Sequence, residues 1–323
     1  MTTPRGRVLL VGASGSIGRA TAEALTAAGY STVAIVRPSR EIQLPEAVEV
    51  RQADVNDAAS LAGDAFCGER FDAVISCLAS RSGAPKDAWA IDDKANRLVL
   101  DEAQRCGARH FVLLSAICVQ KPQLAFQHAK LAFEETLIES GIRYSIVRPT
   151  AFFKSLSGQV ERVKRGKPFL VFGDGRRTSC APISDADVAG FLVECIADES
   201  RWNRILPVGG PGPALTPREQ AAMLFELTGQ PARFRSVSPK LLLAAATVLD
   251  ALGALIPPLL DKAEFARIGY YYATESMLVW DEARGRYDAD ATPRYGRDTL
   301  REHYARLLRG ELADDRGEHA LFR

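Results

Sequence analysis

The apolar run Arg7-Val8-Leu9-Leu10-Val11 passes without a gap into Gly12-Ala13-Ser14-Gly15-Ser16-Ile17-Gly18, which leads into the helical pattern Arg19 to Ala28. A strand feeding a glycine turn and then a helix is the opening of a dinucleotide-binding unit. It commits the chain to a parallel α/β sheet, because the helix must carry the chain back before the next strand can pair. Each glycine has a separate task. Gly12 permits the tight turn, Gly15 lets backbone approach a pyrophosphate, and Gly18 lets the helix pack against the strand. The anion is expected on free N–H groups at the helix N-terminus, where the dipole favours negative charge. Ser14, Ser16 and Ile17, between the glycines, are assigned to the same cofactor contact.

Further strand-like runs follow at the spacing such a fold needs. Ser31 to Val36 is the second, and it delivers Arg37 and Arg40 to its carboxyl end. An acid there would bind the ribose hydroxyls of NAD, whereas a base pairs with a 2′-phosphate, so these arginines point to NADPH. Two solvated arginines in a surface loop are the plain alternative. Val48 to Ala53 is the third strand. Asp54, which follows it, is read as an adenine contact, a cap for the next helix, or both. Phe71 to Cys77 is the fourth, with Cys77, Leu78 and Ala79 over the cofactor, and a helix from Lys86 to Cys106 follows. His110 to Ser115 is the fifth, and Ser115, Ala116, Ile117 and Cys118 are expected to face the nicotinamide half. For Ser115 a helix cap is an equal reading. A helix from Gln123 to Ser140, a strand Tyr144 to Val147 and then Pro149 at the cofactor complete the unit. The expected fold is α/β, a Rossmann-type doubly wound parallel sheet. Residues 1–150 form the NADPH-binding domain. Residues 151–323 are mainly a smaller C-terminal substrate lobe, with some segments returning to the sheet.

Bulk properties narrow the function. A formal net charge of +1 over 323 residues gives no field that would favour nucleic acid. The six cysteines include no C-x-x-C pair, which argues against a disulfide framework or a zinc ribbon and fits a reducing compartment. No protein metal site is expected. The first strand begins too early to leave room for a signal or transit peptide, so a cytoplasmic location is expected. The run Leu241 to Leu260 is mostly apolar but is interrupted by Asp250, Gly253 and Pro257-Pro258. It is read as a buried helix lining an apolar pocket or as a helix at a membrane interface, not as a span. Tyr270-Tyr271-Tyr272 with Trp280 is read first as core packing, although a flat hydrophobic ligand would want the same residues.

The alternation of elements resembles the short-chain dehydrogenase/reductase superfamily in its extended or atypical branch. Those enzymes carry Tyr-x-x-x-Lys on the helix after strand five, one turn apart on one face. The corresponding stretch here is Phe126-Gln127-His128-Ala129-Lys130. The lysine is present and the tyrosine is phenylalanine. A phenyl ring donates no proton, so alcohol or ketone chemistry through that position is ruled against. Reduction of a carbon–carbon double bond conjugated to a large π-system places less demand on a fixed acid. Leu114 to Pro122, Ile146 to Leu156, Gly166 to Gly175 and Asp261 to Gly269 are further similar to the NADPH-dependent divinyl chlorophyllide 8-vinyl reductases of phototrophs. The resemblance implies reduction of the 8-vinyl group of a divinyl (proto)chlorophyllide to ethyl, in chlorophyll or bacteriochlorophyll biosynthesis, with a phototrophic bacterium as the source. The partner is then a Mg-tetrapyrrole, with peripheral contact to a photosynthetic membrane as an added expectation.

Lys130 is assigned to the nicotinamide ribose. Ser115, Phe126, Phe152, Phe153 and Lys154 are assigned to the reaction cavity, with Tyr270 and Tyr271 as further substrate contacts. The proton donor is open among His128, Lys154, Cys118 and water. His128 is also a candidate axial contact to the substrate's magnesium, although a packing role is commoner for a lone histidine. Two rivals remain: a non-catalytic NADP(H) sensor of the same superfamily, and a reductase of another conjugated alkene.

Overall fold

A computed structural model of the chain describes residues 5–38, 42–253 and 255–312. Its centre is a parallel sheet of seven strands. β1 (Arg7–Val11), β2 (Ser31–Val36), β3 (Glu49–Gln52), β4 (Ala73–Ser76), β5 (His110–Leu114), β6 (Arg143–Pro149) and β8 (Arg204–Val208) stand in the order β3-β2-β1-β4-β5-β6-β8. The order reverses between β1 and β4, which opens a crevice at their carboxyl ends. The inner strands read as unbroken apolar runs because both faces are covered. Along β1, Val8 and Leu10 pack into one layer with Ala22, Leu25, Val188 and Leu192. Leu9 and Val11 pack into the other with Leu61, Val99, Phe133 and Leu137. A side-chain period of two divides one run between two cores.

The first layer is supplied by α1 (Ser16–Ala27) and α8 (Asp185–Ala197). The second layer comes from three helical stretches. α2 (Ala58–Ser60) runs on as a π turn over Leu61–Phe66. α3 (Pro85–Ala88) passes through a second π turn, Trp89–Ala95, into α4 (Asn96–Arg105). α5 is Ala125–Glu139. The continuous helix expected from Lys86 to Cys106 is thus widened in its middle. Asp57, not Asp54, caps α2, accepting from Ala59 N at 3.0 Å. Asp54 is exposed and turns back on Asn56 N at 2.9 Å.

Beyond β6 the chain builds the lobe, with α6 (Phe153–Leu156), α7 (Val160–Lys164) and β7 (Phe169–Phe172) before α8. After β8 come α9 (Pro217–Thr228) and β9 (Phe234–Val237), which pairs in parallel with β7. These close on α12 (Leu300–Leu308) around Val163, Leu224, Phe225 and Tyr304.

The run Leu241 to Leu260 is not one helix. It is divided between α10 (Lys240–Gly253) and α11 (Pro258–Thr274), which pack side by side as a hairpin. A Cβ on Gly253 would lie 2.5 Å from Leu260 Cδ2, so glycine permits the close approach at the tip. Arg267 ties the hairpin by pairing with Asp250 and, at 2.8 Å, with Glu264. Of α10 only Ala246 and Gly253 are buried, so the expectation of a buried helix fails. No helix among the described residues is long and apolar enough to cross a membrane.

Candidate functional site

The crevice edge is formed by the glycine turn. Gly12 has φ +82°, and a Cβ there would lie 2.7 Å from the Cys77 carbonyl, so both backbone conformation and space demand glycine. A Cβ on Gly18 would lie 2.2 Å from Gly12 O. Gly15 is different: it is exposed, its φ is ordinary at −79°, and its Cβ would meet only Gly12 O at 3.5 Å. No protein neighbour requires Gly15 to be bare, as expected where a ligand closes on the backbone. Gly15 is also the N-cap of α1 and offers no side-chain cap, and the first turn carries no acid. The N–H groups of that turn therefore retain their capacity for an anion. Ser14 and Ser16 are half-buried in this turn, whereas Ile17 is buried in the core.

Arg37 follows β2 directly and is exposed; Arg40 lies outside the described residues. Beyond β4, Leu78 is buried and Ala79 exposed. The Cys77 thiol faces Thr21 Oγ1 at 3.8 Å, and burial pushes its pKa up to about 12, so it stays a neutral wall of the crevice. Pro149 is buried at the end of β6.

At the opposite end of the crevice stands α5. Its N-terminus is closed by Gln127, whose Oε1 accepts from Gln123 N at 2.7 Å and Leu124 N at 3.0 Å. Ala125 N donates to Glu264 Oε1 of α11 at 3.1 Å, which clamps the hairpin to this turn. Phe126 packs with Cys118, Ile268 and Tyr271, so the position held by a phenol in the wider superfamily lies against an apolar wall. One turn on, Lys130 Nζ sits 2.9 Å from Asp92 Oδ1, with the two side chains 11% and 0% exposed. Asp92 is brought there by the π turn between α3 and α4; its Oδ1 also accepts from Ser80 N at 3.3 Å, and its buried Oδ2 has no partner.

Several assigned residues sit elsewhere. Ser115 is buried and donates to Glu134, whose carboxylate is held by Arg148 through Nε at 3.2 Å and through Nη2. Its hydroxyl is committed to that pair, and it caps no helix, since Ala116 precedes the short turn Ile117–Gln120. His128 is exposed, two residues from both Phe126 and Lys130 and hence on another face of α5, so the cavity and magnesium roles have no geometric support. Lys154 donates to Ser16 Oγ and lies 3.6 Å from Asp185, which puts its charge on the anion turn instead of the reacting end. Phe152 packs on the sheet layer and Phe153 on the lobe core, 5.3 Å from the His303 ring, so Phe153 does not line a slot at α5.

Tyr271 is 1% exposed and donates to Cys118 O at 2.9 Å and Lys121 O at 3.3 Å. Burial raises its pKa, so this phenol is a structural strut and does not replace the missing acid. Cys118 is buried and its thiol pKa is raised by the same cause. Tyr270 is half-buried on α11. A cavity of about 360 Å³, lined by Ser184, Glu302 and His303 among others, lies in the lobe at α12 and does not coincide with the α5 face.

Asp92, Glu134 and Arg148 were not singled out from the sequence. Glu134 stands one turn beyond Lys130, a spacing that could have flagged it; nothing local flags Asp92.

The chain matches the NAD(P)H-binding family over residues 12–199. It is 47% identical to a chloroplastic divinyl chlorophyllide a 8-vinyl-reductase of Oryza sativa subsp. indica, over 98% of this chain and 82% of that protein. It is 43% identical to the protein of the same name from Arabidopsis thaliana, over 95% and 78%. Among solved structures, an NADPH-dependent quinone oxidoreductase of Escherichia coli complexed with NADPH superposes with a TM-score of 0.67 at 19% identity, over 93% of this chain and 99% of that one. A UDP-glucose 4-epimerase of Thermotoga maritima gives 0.68 at 16% identity, over 95% and 100%. These structures share the fold.

Proposed function

Since this chain belongs to the divinyl chlorophyllide a 8-vinyl-reductase family, we infer that it performs the reaction those relatives are named for, with NADPH as reductant. Its substrate is then a 3,8-divinyl (proto)chlorophyllide, and its product carries an 8-ethyl group. The observation that carries the reading is Phe126, set in an apolar wall one turn from Lys130, where a carbonyl reductase needs a phenol.

NADPH, when bound, supplies the hydride. The residues of this chain do the rest. The N–H groups at Gly15 to Gly18 bind the pyrophosphate, and Lys154 adds a positive charge at Ser16. Arg37 selects the 2′-phosphate. Lys130, oriented by Asp92, holds the nicotinamide ribose. Phe126 with Ile268 forms the apolar wall against which the vinyl group lies. Hydride addition to a vinyl conjugated with the macrocycle leaves negative charge spread over the ring, so the proton that completes the ethyl group comes from water without a fixed acid.

The test is incubation of purified protein with NADPH, or NADH, and divinyl chlorophyllide while the Soret band is followed. A blue shift that consumes NADPH in preference to NADH is expected. Dinucleotide binding without any shift would overturn the reading in favour of a sensor.

A further inference from the structure

α10 is built the wrong way round for a helix on a water-exposed surface. Leu241, Ala245, Val248, Leu252 and Leu255 recur at intervals of three and four, the spacing of one helical stripe, and all five are exposed. Leu255, just past the helix, is 85% exposed; Ile256 and Leu260 continue the apolar surface around the tip into α11. Within the hairpin Asp250 and Glu264 are drawn to Arg267, while Asp261 and Lys262, adjacent and of opposite sign, are exposed beside the tip. A patch of this kind marks an interaction site.

Charge at the foot of the hairpin identifies what it meets. Arg235 on β9 and Lys240 at the start of α10 are exposed. The turn after β7 carries exposed Arg176 and Arg177 and is joined to the end of β9 by Gly173 N to Val237 O at 3.0 Å. Its one acid, Asp174, is engaged by Arg176 N at 2.9 Å. Four bases therefore border an apolar stripe, the arrangement of an element that lies in the plane of an anionic bilayer. At 14 residues α10 is about 21 Å long, short of the roughly 30 Å hydrocarbon core, and its Pro257-Pro258 connection has no place inside lipid.

We propose that the α10–α11 hairpin docks on an anionic lipid bilayer. The stripe Leu241 to Leu255 enters the acyl boundary, and Arg176, Arg177, Arg235 and Lys240 rest on the headgroups. α11 runs from this surface to the wall around Phe126, where Ile268 and Tyr271 pack. The hairpin thus joins the phase that holds a flat, poorly soluble macrocycle to the face that reduces it. This delivery role rests on the reductase reading; the docking does not.

The test is flotation of the purified chain with vesicles of phosphatidylcholine, with and without phosphatidylglycerol. Wild type is expected to float, more strongly with phosphatidylglycerol. L252E/L255E should lower partitioning on the order of a hundredfold, with melting temperature and NADPH affinity unchanged. R176E/R177E should lower it on the order of tenfold on the anionic vesicles only. L252E/L255E should reduce pigment presented in detergent micelles as wild type does, and fail on pigment loaded into vesicles. A wild-type chain that never floats, or an L252E/L255E variant that floats equally well, overturns the proposal. So does a wild-type mass that doubles with concentration, is halved by L252E/L255E and shows no vesicle binding, since the face then belongs to a second copy. Flotation with no pigment reduction at all refutes the reductase reading and leaves the docking intact.

Discussion

Replacing Lys130 with Met tests the site and its energetics together. The Nζ–Oδ1 separation of 2.9 Å corresponds to a gross attraction of about 6 kcal/mol at an effective dielectric of about 20, much of it offset by the desolvation of both groups. The loss on breaking the pair is set by what remains. Asp92 would stay wholly buried with one oxygen unpartnered and the other held only by Ser80 N, and stranding a buried charge costs about 3–5 kcal/mol. At about 2 °C per kcal/mol for a chain of this size, the melting temperature should fall by roughly 6–10 °C. Adding Asp92→Asn removes the stranded charge, so D92N/K130M should recover most of that loss. With Lys130 proposed as the donor to the ribose, NADPH affinity should not recover, since both variants lack that lysine; the expected weakening is roughly tenfold to a hundredfold. Urea unfolding and NADPH fluorescence titration of wild type, K130M, D92N and D92N/K130M supply the full cycle. A K130M chain destabilised by less than about 1 kcal/mol would refute the buried-pair account. Unchanged NADPH affinity in K130M would leave Lys130 a structural residue and remove it from the cofactor site.

Two glycines of one turn should behave differently. Gly18→Ala forces a Cβ onto Gly12 O and Ala13 Cα, both backbone, and should abolish NADPH binding and lower stability together; Gly15→Ala meets no such contact and should weaken NADPH binding with the melting temperature unchanged. Equal NADPH affinity for wild type and Gly15→Ala would show that no pyrophosphate approaches that residue. His110 supplies a pH dependence. Burial, and secondarily the nearby Arg143, hold its pKa down to about 4, against about 6.5 in the unfolded chain. The unfolded state therefore binds the proton first. Stability is fully present above about pH 6.5 and is lost as pH falls toward 4, by at most about 3 kcal/mol. In His110→Gln this loss should vanish, so the stability gap between wild type and variant should narrow from pH 7 to pH 4 in urea titrations; a constant gap would refute it.

How far the chain could be read in advance depended on the range of the interactions involved. β1 and β2 have the bounds that their apolar runs suggest, because a strand buried on both faces needs only apolar side chains and its neighbours are supplied by the alternating helices. The three glycines were legible because a turn's backbone demands are local. Phe126 and Lys130 were placed on one face by helical period alone. Ser115, Lys154 and Phe153 went astray because the end of a strand is surrounded by several elements, and proximity in the chain does not say which of them a side chain joins. Glu134 captured the serine, Ser16 the lysine and the lobe core the phenylalanine.

What the sequence alone determined, then, is the parallel sheet and the glycine turn, since each follows from spacing over a few residues; that a phenylalanine stands where a phenol is usual came from the family resemblance. Tertiary structure alone decided that Asp92 meets Lys130 and that Tyr271 is spent on two carbonyls. It also decided that the apolar stripe of α10 faces outward. Periodicity shows that a helix has an apolar face, but only the packing of its partner settles which face is covered. Here α11 covers the other one.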